Sequence, residues 1–278
     1  MIFLLIQKQG TDGNNKGTPW GMIFAKWWYL ELCFFLQNLP MSSPKLFLLN
    51  PDPLQDEIPG QNVFTLKIPP KTDIFASPTI GYHFSAPIAY KCLPTGNFSK
   101  ARATVTIPFT LNCLPTTRVE NPTLQFDQAG LVFVFLDPKF GAPCLANPGS
   151  GKTENPHPKW IKAGVEVWEG KALGSVVVRE KWSDWSLFAA PGSADAVEVT
   201  VTIEMERLGD ALMIYKILGA ERELVRKVPW CFLEMETKET VWIGVYGARP
   251  DPYGEAQGKN LVARFENFVI KDVGIKDI

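Results

Sequence analysis

Two histidines, His83 and His157, are all the chain has, and its five cysteines contain no Cys-x-x-Cys pair. A structural zinc site needs His or Cys ligands that come close together, so neither a metal nor a cofactor is expected. Cys33, Cys92, Cys113, Cys144 and Cys231 are odd in number and widely spaced. They read as reduced, mostly buried thiols of a cytoplasmic protein rather than as a disulfide framework. Charge of one sign is also lacking: the net charge is -1 over 278 residues. That gives no support for nucleic acid or an anionic membrane as a partner. No GxSxG elbow is present, and neither histidine has an obvious Ser or Cys partner for a nucleophilic triad. His83 lies in the apolar run GYHF and is expected in the core or at a rim. His157, between prolines, is expected to be exposed.

The first forty residues do not resemble the rest. MIFLLI opens without a basic region and makes a poor signal peptide. The apolar stretch at residues 22–39 carries Lys26 and Glu31 in its middle, which is costly for a membrane span. Residues 1–44 are read as an N-terminal extension outside the fold, with Met41 as a natural start, and residues 45–275 as a single domain.

After Met41 no long 3.6-residue period occurs. Short β-branched and aromatic runs follow one another, separated by turn residues, with 23 prolines and 22 glycines scattered among them. Strands are predicted at 63–68, 80–84, 88–92, 101–107, 124–136, 160–168, 173–181, 186–189, 196–206, 211–217, 223–228, 241–246 and 261–272. Leu208-Gly209-Asp210 reads as a hairpin turn. So many strands at short spacing predict an all-β sandwich of two antiparallel sheets.

The chain is organised around Trp160–Trp185, WIKAGVEVWEGKALGSVVVREKWSDW. Its first strand alternates. Ile161, Ala163, Val165 and Val167 form a core face, and Trp160, Lys162, Gly164, Glu166 and Trp168 form the other. Indoles beside Lys and Glu can hold a flat, polyhydroxylated ligand, stacking on its C–H face and hydrogen-bonding its hydroxyls. The same face is also explained by tryptophans covering the sheet rim and Lys162 pairing with Glu166. The register of the hairpin decides whether Ser175 and Arg179 share this face. Asp184 either caps its local turn or points into the groove beside Glu166, and Trp185 is expected in groove contact.

Residues 137–159 interrupt the strands with a Pro- and Gly-rich loop, long enough to be functional, and are expected to overhang the polar face. Within it Ala146–Thr153, ANPGSGKT, meets a relaxed phosphate-loop pattern. Pro156 and Pro158 forbid the helix such a loop needs, so the match reads as coincidence. A glycosidase would need a second carboxylate near Glu166, for which Asp127 and Asp184 are the candidates.

The runs FDQAGLVFVF (Phe126–Phe135), WIKAGVEVWEGK, SVVVREKWSDWS, RLGDALMIYK and VWIGVYGA…ARFENFVI resemble the DUF1349 family. Its fungal members are grouped with the yeast regulation-of-enolase protein. The resemblance covers roughly residues 63–272 and implies a concanavalin A-like (jelly-roll) lectin/glucanase sandwich. It also places polar motif positions at Gln128, Lys162, Glu166, Ser175, Asp184 and Arg207. It implies a cytoplasmic role linked to carbohydrate metabolism, by regulation rather than catalysis.

The resulting expectation is a carbohydrate-recognition-like protein. Gln128, Trp160, Lys162, Glu166, Asp184 and Trp185 bind the ligand, and loop 137–159 covers it. Two alternatives stand beside it. One is an enzyme on the same face, a glycoside hydrolase or a small-molecule isomerase or cyclase, with Glu166 and Lys162 as its catalytic groups. The other is an interaction module for a metabolic enzyme.

Overall fold

The computed structural model describes residues 46–56, 62–111, 119–137, 139–150, 157–191, 197–233 and 240–272. The expected extension 1–44, Cys33, Cys113 and Lys152 lie outside these residues.

Two antiparallel sheets face each other, as the strand pattern predicts. In spatial order the first contains β1 (Phe47–Leu49), β5 (Ile88–Pro94), β14 (Thr240–Ala248), β7 (Gln128–Leu136), β8 (Trp160–Trp168), β9 (Lys171–Arg179) and β10 (Ser183–Phe188). The second contains β13 (Glu221–Val228), β12 (Ala211–Leu218), β11 (Glu198–Leu208), β6 (Phe98–Pro108), β15 (Leu261–Asp272) and β2 (Val63–Ile68). A separate hairpin joins β3 (Ile74–Ser77) to β4 (Gly81–Phe84). One core lies between the sheets, built from alternate residues such as Leu131, Phe133, Ile161, Val165, Val201 and Phe265.

The central strands β7 and β8 are buried on both faces, so they read as nearly continuous apolar runs. Their second face carries another cluster, including Val132, Val134, Trp160, Trp242 and Tyr246, which packs with Ile74 and Phe84 of the β3–β4 hairpin. This hairpin therefore covers part of the outer face of the seven-stranded sheet.

Most expected boundaries shift by a few residues, and two of these shifts bear on the site. β7 starts at Gln128, because Leu124–Asp127 closes a turn: Asp127 N–H donates to Leu124 O at 3.0 Å, and Leu124 N–H to Asp127 Oδ2 at 2.8 Å. Ser183–Trp185, which precede the strand predicted at 186–189, already pair with β9. β1 and β3 were not anticipated; each is short and has little alternation to show.

The 160–179 hairpin turns through Glu169 and Gly170, both with positive φ (48° and 69°), between the paired Trp168 and Lys171. Two such residues suit the twist of a two-residue hairpin loop. The turn sets the register, which pairs Gly164 with Ser175, Lys162 with Val177 and Trp160 with Arg179. Ser175 and Arg179 thus share the Lys162/Glu166 face.

Gly130 and Gly164 face each other across β7 and β8. A Cβ at Gly130 would meet Ala163 O at 2.1 Å, and one at Gly164 would meet Ala129 O at 2.0 Å. Both obstacles are backbone, which cannot swing aside. Gly130→Ala and Gly164→Ala are each expected to cost about 2 kcal/mol or more in urea denaturation. Gly96→Ala, with nothing within 4 Å of its Cβ, is expected to stay within about 0.5 kcal/mol of the parent.

Candidate functional site

On the outer face of the seven-stranded sheet, side chains fall into rows set by the register. Gln128 pairs with Glu166; Tyr246, Gly130, Gly164 and Ser175 form the next row; Val132, Lys162, Val177 and Trp185 the one after. The two glycines leave the middle row without side chains between Tyr246 and Ser175. Lys162 reaches along that gap, and its Nζ donates to Gln128 Oε1 at 2.8 Å.

A cavity of about 500 Å³ opens above this floor. Gln128, Lys162 and Glu166 line its base. Phe126, Trp168 and Trp185 form one wall, and the hairpin side supplies Asp73, Phe75, Ile80 and His83. Lys71, Pro250 and Pro252 complete the mouth. The wall is a continuous aromatic set: Phe126 and Trp168 lie 5.3 Å apart, and Trp168 meets Trp185 edge-on at 5.0 Å.

Phe126 holds this place with φ at 68°, a left-handed conformation that a bulky side chain rarely adopts. Its N–H donates to Val167 O at 2.8 Å, and Val167 N–H returns to Asp127 O at 2.9 Å. The end of β8 therefore fixes the strained residue at the rim.

Lys162 is only 2% exposed and Glu166 only 4%. A buried ammonium needs partners in every direction. Besides Gln128, Lys162 has Asp73 Oδ1 at 3.4 Å and the rings of Tyr246 and Trp160 at 5.5 and 5.6 Å. Tyr246 donates its hydroxyl to the same Gln128 oxygen at 3.1 Å. Glu166 accepts from Trp185 Nε1 at 3.0 Å and hydrogen-bonds Ser175. Burial raises its pKa above the ordinary carboxylate value, against the opposing pull of Lys162 and of these two donors.

Of the residues singled out from sequence, Gln128, Lys162, Glu166 and Trp185 come together at the cavity. Trp160 does not line it. It is 1% exposed and packed in the cluster beneath the hairpin; the tryptophan of β8 that lines the cavity is Trp168. Asp184 does not line it either. Adjacent residues of a strand face opposite ways, so with Trp185 in the wall Asp184 turns to the other face and pairs with Arg226 of β13. Asp127, a conceivable second carboxylate, is fully buried beside Arg249. The second carboxylate at the cavity is Asp73, which sequence reasoning missed. It lies 89 residues from Lys162 and carries no local signal.

The cover differs from expectation too. None of the described part of loop 137–159 lines the cavity; the β3–β4 hairpin does. Ala76 N–H donates to Ser183 Oγ at 2.9 Å, and Tyr82 stacks on Trp182 at 5.3 Å, so the Trp-Ser-Asp-Trp segment holds this hairpin in place. The loop instead meets buried Arg179, whose guanidinium donates to Pro158 O and, at 3.2 Å, to Ser150 O. Burial lowers the Arg179 pKa to about 10. His157 is buried rather than exposed, stacked on Phe140 at 5.0 Å with Nε2 3.1 Å from Gly141 O. His83 sits at the cavity rim. Arg207 lies on the other sheet, over the Phe232 ring at 4.4 Å. Of the described cysteines only Cys231 is buried, which pushes its thiol up to about 12; Cys92 is exposed.

The two facing antiparallel sheets, of seven and six strands, define an all-β sandwich. Within that class the chain belongs to the DUF1349 family, described as a protein of unknown function, whose pattern matches residues 50–273. An uncharacterized protein of Emericella nidulans is 33% identical over 224 residues, 81% of this chain and 92% of that one. The structure of a functionally unknown protein from Saccharomyces cerevisiae is 20% identical with a TM-score of 0.54, covering 82% of this chain and 96% of that one. A lectin from Bauhinia forficata in complex with GalNAc is 10% identical with a TM-score of 0.41, covering 82% and 97% respectively.

Next to the cavity, Asp127 Oδ1 and Arg249 Nε stand 3.5 Å apart with no other hydrogen-bond partner. The pair is too loose to offset desolvation, and burial pushes the Asp127 carboxyl up to about 7 against the pull of Arg249 and the Leu124 amide. Between about pH 4 and about pH 7 the folded protein keeps this proton and the unfolded chain has lost it. Stability therefore falls as pH rises through that window, by up to about 1.4 kcal/mol per pH unit. Urea denaturation across the window is expected to show a shallower decline in Asp127→Asn than in the parent; an equal decline would assign the slope to other groups.

Proposed function

We propose that the cavity binds one small ring-bearing molecule and that the protein acts as a small-molecule recognition module of carbohydrate-recognition-like design. The ring lies along Trp168 and Trp185, and its oxygenated edge meets Gln128, Lys162 and Glu166. The observation that carries this reading is the cavity itself: about 500 Å³, aromatic on one side, with buried Lys and Glu at its base. Mostly apolar concavities with a few convergent polar groups are the usual form of a ligand site.

The test is a titration of the full chain with a panel of mono- and oligosaccharides, sugar phosphates and apolar cyclic ketones, read by tryptophan fluorescence. At least one compound is expected to give a saturable change that Trp168→Ala abolishes. Asp184→Ala, on the opposite face, is expected to leave it within about twofold, since surface changes remote from a site have small effects. No saturable change with any compound, from folded protein, would overturn the reading.

One observation favours a second reading, an enzyme that moves a proton on the bound molecule. Glu166 and Asp73 both line the cavity, and both act on Lys162. Glu166, kept protonated to higher pH by burial, would serve as general acid and Asp73 as base. On this reading Glu166→Gln keeps binding within a few-fold and lowers turnover by about 10²-fold or more. Unchanged turnover in that variant would remove Glu166 from any chemistry.

A further inference from the structure

We infer that the ligand is a flat, largely hydrophobic ring compound with a single hydrogen-bond-accepting edge, such as a ring ketone, and not a sugar. The inference rests on the cavity being a ligand site, as proposed above, and follows from how few polar atoms the cavity has left to offer.

Most polar groups at the base are already committed to one another. Gln128 Oε1 accepts from both Lys162 and Tyr246, which uses both of its lone pairs. One Gln128 N–H donates to Phe126 O at 3.2 Å. The Trp185 indole N–H is given to Glu166, and Ser175 is also engaged there. Asp73 Oδ1 accepts from Ile74 N–H at 2.7 Å and faces Lys162 at 3.4 Å.

What remains at the base is donor capacity on two adjacent side chains, a third Lys162 proton and the second Gln128 N–H, beside the remaining carboxylate lone pairs of Glu166 and Asp73. Lys162 and Gln128 touch each other, so one acceptor oxygen can meet both donors. The rest of the lining is mostly apolar, with Phe75, Ile80, Phe126, Val177, Pro250 and Pro252 beside the two indoles, and the exposed Lys71 and His83 stand at the mouth.

A pyranose carries hydroxyls around its whole ring. With one edge at the base, the others would press against these apolar walls. Each buried hydroxyl left without a partner loses its hydration uncompensated. A fused-ring ketone has no such groups. Its faces suit the Trp168 and Trp185 rings, and its oxygen meets the charged donor at Lys162.

The probes are 1-tetralone, its hydrocarbon counterpart tetralin, glucose and cellobiose, each titrated into the full chain by saturation-transfer NMR. 1-Tetralone is expected to saturate about tenfold or more tighter than tetralin, the gain of one charge-assisted hydrogen bond. Glucose and cellobiose are expected not to saturate. Trp168→Ala should abolish 1-tetralone binding. Ile80→Asp, a change at an exposed position of the mouth, should weaken it by roughly tenfold without disturbing the buried network.

Four outcomes overturn the inference. A sugar that saturates, with loss in Trp168→Ala, while 1-tetralone does not, would refute the ligand class and leave the proposed site standing. Tetralin binding as tightly as 1-tetralone would refute the accepting edge. 1-Tetralone binding equally to parent, Trp168→Ala and Ile80→Asp would place it outside this cavity. Silence from all four probes refutes the ligand class, and silence from the wider panel above refutes the site as well.

Discussion

The architecture of the site depends on one constraint: the Lys162 ammonium is buried in the middle of a sheet and must be satisfied there. An uncompensated charge in such a place costs several kcal/mol. The surrounding sequence supplies the compensation from four directions. Gln128 gives an oxygen at 2.8 Å, the hairpin brings Asp73 to 3.4 Å, and Tyr246 and Trp160 present ring faces. Gly130 and Gly164 are part of the same solution. With side chains there, β7 and β8 could not approach as they do, and Lys162 on one strand could not sit so close to Gln128 on the other.

That constraint also explains why an otherwise ordinary sandwich carries an extra hairpin on one outer face. β3 and β4 belong to neither main sheet. They bury Trp160, Val134 and Tyr246 and deliver the Asp73 carboxylate that faces Lys162. Covering the sheet and building the cavity are therefore one event. The Trp182–Trp185 segment takes part from both sides: Trp182 and Ser183 hold the hairpin, and Trp185 forms the wall and hydrogen-bonds Glu166.

The alternation of β8 made Lys162 and Glu166 legible as neighbours on one face, but the hairpin register stayed open until the structure showed the two-residue Glu169-Gly170 turn. The antiparallel sandwich was legible for the same reason: period-two runs and turn residues are local signals. What could not be read was non-local. Burial of Trp160 depends on a hairpin some 80 residues away in the chain. Asp73 depends on the same hairpin. His157 was misplaced because stacking on Phe140 follows from the path of the loop, not from its flanking prolines. Asp184 is a different kind of error. Once Ser183–Phe188 is taken as a strand, alternation alone forbids Asp184 and Trp185 from facing the same groove.

The two carboxylates of the cavity are held in unlike settings, and the difference arises from where each sits in the fold. Glu166 is on a central strand, buried on all sides, and accepts from Trp185 while sharing Ser175. Asp73 stands at the base of a surface hairpin, is more exposed, and is fixed by the Ile74 amide. Burial works against charge on Glu166 and raises its pKa, while the attraction of Lys162 opposes that shift. A mostly apolar lining surrounds these three charged groups, with strained Phe126 pinned at its rim. The sandwich thus confines its chemical potential to one end of one sheet face, while the opposite face of the same strands packs the core.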